Sequence, residues 1–219
     1  FLLVHGWNSN KSDMLRYVDS LLASGYDVII VDALGHGQSD LIQKQVSIKS
    51  FVQSITSTID YVCERQDINS NAIYLLGHSL GGTAASIVNA TDSRIQALIT
   101  DSMPTSLKSI SESMAGKVTI PYIPFGCLFV SWFLLRGGVF LKARREWRLE
   151  EILKNQQSPA LAIHSIQDNK VPISNVDVLL NDSNFKQVVK VATKGHHNCV
   201  KDEYFWAKVF HFIVSAEGI

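Results

Sequence analysis

The stretch Gly77-His78-Ser79-Leu80-Gly81 lies between the apolar run 72–76 and the small-residue stretch 82–90. An apolar run that gives way to small residues predicts a buried strand followed by a closely packed helix. Glycine two positions on either side of a serine allows a sharp turn between strand and helix, because a side chain there would collide with the turn. Such a turn leaves the Ser79 oxygen clear of the sheet edge. The alternative interpretation of Ser79 is that it is a small residue tolerated in a glycine-rich turn, without a role in catalysis.

Short apolar segments recur along the chain and alternate with helical patterns. The predicted strands, all expected to be buried, are 1–4, 27–31, 72–76, 95–100, 159–164 and 186–192. Apolar residues at helical spacing predict amphipathic helices over 48–62, 14–22 and 205–213. The alternation predicts an α/β fold with a mostly parallel sheet flanked by helices. Residues 1–101 and 158–219 would form its core, with 102–157 inserted between two strands.

Composition excludes several classes of function. The chain has 219 residues, of which 46% are hydrophobic and 18% charged, a balance typical of one globular domain. Twenty basic residues cancel twenty acidic ones. We therefore expect no nucleic-acid partner, because a basic footprint is missing.

The cysteines indicate the compartment. Cys63, Cys127 and Cys199 are odd in number and widely spaced, which argues against a disulfide framework or a zinc site. We expect a reducing compartment and a cytoplasmic protein, and a signal or anchor ahead of Phe1 stays an open alternative. Cys199 follows two histidines, but a small packed residue is a better interpretation than a redox role.

Further polar motifs follow the predicted strands. His5-Gly6-Trp7 follows the first strand, where the Trp7 N–H, paired with that of Leu80, would form an oxyanion hole. Asp168 follows the strand 159–164, and His196 and His197 follow the last strand. A serine, a carboxylate and a histidine in this chain order predict nucleophilic catalysis by Ser79.

Jointly these motifs resemble the α/β-hydrolase superfamily, and most of all serine hydrolases of the esterase, monoacylglycerol lipase and serine aminopeptidase type. The matching segments are 5–7, 32–39, 77–82, 168–172 and 195–196. The resemblance implies a nucleophile elbow and a triad of Ser79, Asp168 and His196 that transfers an acyl group to water without a cofactor. Ser165 departs from the pattern, since relatives often carry glycine after the strand histidine.

Several assignments stay open at this point. His197 is the alternative base, and Asp101 is a rival acid because some relatives place their carboxylate at that strand end. Asp168 could instead cap a helix near residue 174 or close a turn. Asp32 and His36 are interpreted as structural parts of a glycine-shaped loop, and His78 is expected to pack beneath the elbow.

The insertion carries an uncharged segment over 118–135. Pro121, Pro124 and Gly126 interrupt it, so the remaining apolar run is too short to cross a bilayer. We interpret it as a lid, with peripheral lipid contact as the alternative. Its expected substrate-binding side chains share one helical face: Phe125, Phe129, Trp132 and Phe133.

The lid indicates a small-molecule substrate with an apolar acyl group. The predicted activity is hydrolysis of carboxylic esters with short-to-medium acyl chains. Thioesterase and aminopeptidase activities are alternatives, as is a non-catalytic ligand receptor on the same fold.

Overall fold

The computed structural model describes residues 1–40, 46–106, 109–110, 149–182 and 185–218. Within them six strands form one sheet in the order β2-β1-β3-β4-β5-β6, and every neighbouring pair is parallel. The strands are β1 Leu2–Val4, β2 Ile29–Val31, β3 Ile73–His78, β4 Ile95–Asp101, β5 Ala160–Gln167 and β6 Phe185–Lys194. The predicted α/β fold is confirmed.

Helices cover both faces of the sheet. They are α1 Leu15–Ala23, α2 Ile48–Glu64, α3 Leu80–Asn89, α4 Leu149–Lys154, α5 Ser174–Asp182 and α6 Phe205–Ala216. Alternate side chains of the central strands point to opposite faces, which produces two apolar cores. One core packs against α2 and α3, and the other against α1 and α6. The functional loops therefore rest on a sheet that is supported from both sides.

The predicted apolar stripe of α1 is partly wrong. Leu15 and Leu22, which the pattern assigned to the core face, are each 54% exposed. Met14 and Leu21, which the pattern also assigned to that face, are fully buried, and so is Tyr17, which the pattern did not include. Residues 14, 17 and 21 follow the i, i+3, i+7 spacing of one helical face, whereas positions 15 and 22 are turned about 100° away from it. Tyr17 was missed because its hydroxyl makes it a weaker marker of burial.

Two of the six strands differ from the expectation of full burial. All three residues of β2 are only half-buried, and in β6 only Phe185 and Val191 are buried, the other positions being half-buried or exposed. Both strands lie at the edges of the sheet, where one side has no neighbouring strand among the described residues. The central strand β3 is buried along its whole length.

The described flanks of the predicted insertion pack on the core. Met103 and Leu153 are almost fully buried in the cluster shared with α3. The Gln156 side chain donates to the carbonyl of Ser86 at 3.1 Å, which ties the segment after α4 to α3. No helix in the described part of the chain combines the length and apolarity needed to cross a membrane.

Candidate active site

Ser79 occupies a strained turn between β3 and α3. Its φ of 52° and ψ of −125° lie outside the regions that side chains normally adopt. A Cβ on Gly77 would lie 2.6 Å from the carbonyl oxygen of Gly81, and one on Gly81 would lie 2.3 Å from that of His5. Glycine is therefore required at both positions. The Ser79 N–H donates to the carbonyl of Asp101 at 2.8 Å, which fixes the turn to the end of β4.

The loop after β1 lies directly against this turn. A Cβ built on Gly6 would be only 3.0 Å from the Cβ of Ser79. His5 stabilises the loop, since its Nδ1 donates to the Gly6 carbonyl at 2.7 Å and its Nε2 accepts from the Ala33 N–H at 3.0 Å. Leu80 begins α3, and the first N–H groups of a helix have no partner within it. The structure thus brings the segment with Trp7 and the start of α3 to the same place.

Asp168 lies just beyond the end of β5, with no exposed side-chain surface. Its Oδ1 accepts from the N–H groups of Lys170 at 2.8 Å and Val171 at 2.9 Å, and its Oδ2 accepts from His196 Nδ1 at 2.7 Å. Burial opposes ionisation, but the His196 contact and the two backbone donors prevail, so the pKa of Asp168 is lowered. Asp168 both closes a turn and holds an imidazole.

The two adjacent histidines have different surroundings. The His196 side chain is 4% exposed and bonds to Asp168. The half-buried His197 ring instead stacks on His78, with ring centroids 4.6 Å apart. Burial and the neighbouring His196 and Arg16 charges lower the pKa of His197 to about 4. Of these two histidines, both within the described residues, His196 is the one whose hydrogen bond to the Asp168 carboxylate the structure describes.

His78 has a larger part in the site than the sequence indicated. Its Nε2 donates to the carbonyl of His196 at 2.9 Å, and the two rings are 4.8 Å apart. Burial lowers the pKa of His78 well below its usual range, so the ring is neutral. His78 therefore couples the backbone beside Ser79 to the loop that carries His196. Its position next to the serine was the only signal in the sequence.

Another buried histidine, His164, lies beside the acid. His164 Nε2 donates to the Val171 carbonyl at 2.9 Å and lies 3.6 Å from Asp168 Oδ2. It is fully buried, and burial lowers its pKa. Ser165, where relatives often have glycine, donates its hydroxyl to the carbonyl of Thr193 on β6. This bond links β5 to β6, so the serine that stands here in place of glycine has a structural role.

Asp101, the rival acid, is bound to hydroxyl groups. Its carboxylate accepts from Tyr17 at 2.6 Å and from Ser102 at 2.9 Å. The Ser102 hydroxyl lies 3.5 Å from the sulfur of Cys199. Burial raises the pKa of the Cys199 thiol, which disfavours the reactive thiolate.

The loop after β2 is held by Asp32. Its carboxylate accepts from the N–H groups of Lys11 at 2.6 Å and Gln38 at 3.0 Å, and pairs with the Lys11 ammonium at 3.3 Å. Burial acts against the charged form, but these donors outweigh it and lower the pKa of Asp32. These contacts are typical of a structural carboxylate.

Two predicted contacts of the site are not among those that the structure describes. Within the described residues no hydrogen bond links the Ser79 hydroxyl to the His196 ring. The proposed lid side chains, Phe125, Phe129, Trp132 and Phe133, lie outside the described residues. Their contact with substrate or lipid stays a prediction.

Known proteins resemble this chain in sequence and in structure. It is 25% identical over 180 residues to the alpha/beta hydrolase domain-containing protein WAV2 of Arabidopsis thaliana, covering 78% of this chain and 52% of that protein. It is 24% identical over 205 residues to the uncharacterized protein YqkD of Bacillus subtilis, covering 90% and 64%. The chain therefore spans between half and two thirds of these relatives' lengths.

Solved structures resemble the fold. The Pyrococcus furiosus esterase Pf2001 superposes with a TM-score of 0.75 at 19% identity, covering 98% of this chain and 81% of that one. The Paleococcus ferrophilus monoacylglycerol lipase superposes with a TM-score of 0.66 at 18% identity, covering 97% and 93%. The model of the serine aminopeptidase S33 family matches residues 1–115, more than half of the 219 residues. This chain belongs to the serine aminopeptidase S33 family and has the α/β-hydrolase fold.

Proposed function

We propose that this protein is a serine hydrolase that cleaves carboxylic esters through an acyl-enzyme. The observation that carries the proposal is the 2.7 Å hydrogen bond between His196 Nδ1 and Asp168 Oδ2. It lies beside the strained turn that presents Ser79. A nucleophile, a base and an orienting carboxylate are the three groups that this chemistry needs.

The tautomer of His196 supports a role as the base. In the neutral ring, a proton on Nδ1 that forms the hydrogen bond to Asp168 leaves Nε2 without one and able to accept the serine proton. In the proposed reaction, Ser79 Oγ attacks the ester carbonyl while Nε2 takes the hydroxyl proton. His196 then returns that proton to the departing alcohol. Water attacks the acyl-enzyme in the same way and releases the acid. The contact between Ser79 and His196 would tighten when substrate binds, as in many serine enzymes.

The oxyanion of the tetrahedral intermediate needs donors close to Ser79. We assign the N–H groups of Leu80 and Trp7 to this role. The positive end of the α3 dipole also favours negative charge beside Leu80. A Cβ placed on Gly6 would lie 3.0 Å from the Cβ of Ser79. This close approach of the loop supports the placement of Trp7. A donor of this kind is worth about 10² to 10³ in kcat.

The proposed substrate is a small ester with a short-to-medium acyl chain. An esterase and a monoacylglycerol lipase among the solved structures support an ester. Removal of an N-terminal residue from a peptide is the second candidate, because the family is described as serine aminopeptidase. Thioesters would use the same acyl-enzyme. A non-catalytic receptor would need none of the triad.

A labelling experiment with a matched control tests the proposal. Wild type, Ser79→Ala and Ser215→Ala are treated with a fluorophosphonate probe. They are then assayed on p-nitrophenyl esters from acetate to laurate and on aminoacyl p-nitroanilides. Ser215 is an exposed serine on α6, so its variant should behave as wild type. Ser79→Ala should lose labelling and turnover by about 10⁴-fold or more. More than a few per cent of residual rate would contradict the assignment, and faster anilide hydrolysis would favour the peptidase.

A further inference from the structure

The loop that follows β1 contains a residue with a positive φ. Asn8 has a φ of 54°, a value that asparagine adopts more readily than most residues other than glycine but that is still uncommon. Such a conformation persists where surrounding contacts hold it. Asn8 directly follows Trp7, whose N–H we assign to the oxyanion. Whatever holds Asn8 therefore also acts on the orientation of Trp7.

The contact that holds Asn8 comes from a different loop. The Asn8 N–H donates to Nε2 of His36 at 3.3 Å, and His36 belongs to the loop after β2. The Trp7 ring meets the His36 ring edge to face, with centroids 5.4 Å apart. Phe51 of α2 also packs against the His36 ring, with centroids 5.0 Å apart. The imidazole is thus fixed between a core helix and the loop beside Ser79.

This contact requires a neutral imidazole, because Nε2 accepts a hydrogen bond only without a proton. Burial lowers the pKa of His36, although the backbone of Leu34 and the Asp32 carboxylate act in the opposite direction. Asp32 is itself bound to the Lys11 ammonium and to two backbone N–H groups. His5, 5.2 Å from His36, also accepts through its Nε2, and burial lowers its pKa too. The groups that face His36 are compatible with its neutral form.

We propose that His36 is a positioning residue for the loop after β1, which carries the Trp7 N–H assigned to the oxyanion. It accepts a hydrogen bond from the Asn8 N–H and so fixes the orientation of the neighbouring Trp7 N–H beside Ser79. This inference rests on the proposed function, since it assigns a catalytic consequence to the loop. His36 itself contacts no reacting atom. Its effect should appear in kcat, because the oxyanion exists in the transition state and not in the bound substrate.

Two substitutions distinguish the role of the Nε2 acceptor of His36 from the role of its aromatic ring. His36→Phe keeps an aromatic ring against Trp7 and Phe51 but has no acceptor. His36→Gln keeps an acceptor oxygen near the position of Nε2 but loses the ring. His211, exposed on α6, provides the matched controls His211→Phe and His211→Gln.

The assay compares kcat and KM for p-nitrophenyl butyrate in all four variants and wild type. Folding is checked by circular dichroism. We expect His36→Phe to lower kcat by about tenfold or more, with KM changed less than about threefold. We expect His36→Gln to stay within about threefold of wild type in both. Hydrogen exchange of the peptide containing Asn8 should be faster in His36→Phe than in His36→Gln.

A packing role would reverse the order of the two variants, so a kcat for His36→Phe equal to or above that of His36→Gln overturns the proposal. If His36→Phe does not fold, His36→Gln is the test on its own. A kcat of His36→Gln equal to that of wild type supports the acceptor role, and a tenfold lower kcat in folded His36→Gln refutes it. Failure of the proposed function is recognised separately, as wild-type turnover that does not depend on Ser79. That result would also remove the catalytic consequence assigned to His36.

Discussion

Replacing Asp168 with asparagine tests the proposed triad most directly, because it removes the charge while keeping the shape. The amide oxygen of asparagine would still accept from the N–H groups of Lys170 and Val171, which now bind Oδ1 at 2.8 and 2.9 Å. The amide nitrogen would then face His196. As a donor, it forces the imidazole to accept at Nδ1 and to carry its proton on Nε2. That tautomer cannot take a proton from Ser79.

The structure indicates a large effect. The bond between Asp168 and His196 measures 2.7 Å, and the Asp168 side chain has no exposed surface. Water therefore cannot replace the lost acceptor. The same change in the serine-protease triad lowers kcat about 10⁴-fold, which corresponds to about 5.5 kcal/mol of barrier. We expect a loss of about 10³ to 10⁴ in kcat, with a KM within about threefold of wild type.

Steady-state hydrolysis of p-nitrophenyl butyrate at pH 7.5 measures this loss. Asp177→Asn is the matched control, because Asp177 is an exposed carboxylate that pairs with Lys190 at 2.7 Å. The control should keep its full rate. If Asp168→Asn kept more than a tenth of wild-type kcat, Asp168 would not orient the base. Asp101→Asn then becomes the variant to measure, since Asp101 lies at the end of the adjacent strand β4.

Three further predictions concern the base, the lid and the response to acid. His196→Ala should lose about 10⁴-fold or more in turnover, whereas His197→Ala should mainly lower the melting temperature; equal and mild losses in both would contradict the triad. Trp132→Ala should shift the preferred acyl length, because each buried methylene is worth about 0.8 kcal/mol; an unchanged profile from acetate to laurate would reject the lid. The folded-state pKa of His197, about 4, is below its ordinary value of 6.5, so the unfolded chain binds more protons between these values. The contribution of His197 to stability in urea should therefore be complete above pH 6.5 and fall towards pH 4, by well under the ~1.4 kcal/mol per pH unit of a fully buried group, because solvent screens this half-exposed ring. An unfolding midpoint that stays constant from pH 7.5 to 5 would contradict this.

The sequence predicted the central strands well because their positions are dictated by burial. An apolar run such as 72–76 has to lie between two layers, and the glycines around Ser79 permit one kind of turn after it. The edge strands were predicted less accurately, since exposure on one side relaxes the demand for apolar residues. The strand β2 is half-buried for this reason.

The supporting contacts of the site could not be predicted. His78 bonds to the carbonyl of a residue 118 positions away, and Tyr17 bonds to a carboxylate 84 positions away. Such pairs leave no local pattern in one sequence. They depend on the strand order of the sheet and on the rotation of α1. The apolar stripe predicted that rotation only in part, since Leu15 and Leu22 are exposed and Tyr17 is buried.

The choice between Asp101 and Asp168 marks the limit of what topology can decide. In a parallel sheet, β3, β4 and β5 all end at the edge that carries Ser79, and β4 is the nearer of the two neighbours. Position alone would therefore permit either acid. Hydrogen bonding distinguishes them, because Asp101 accepts from the hydroxyls of Tyr17 and Ser102, whereas Asp168 accepts from His196. The buried hydroxyl of Tyr17, which occupies the nearer carboxylate, thus favours the more distant one as the partner of the base.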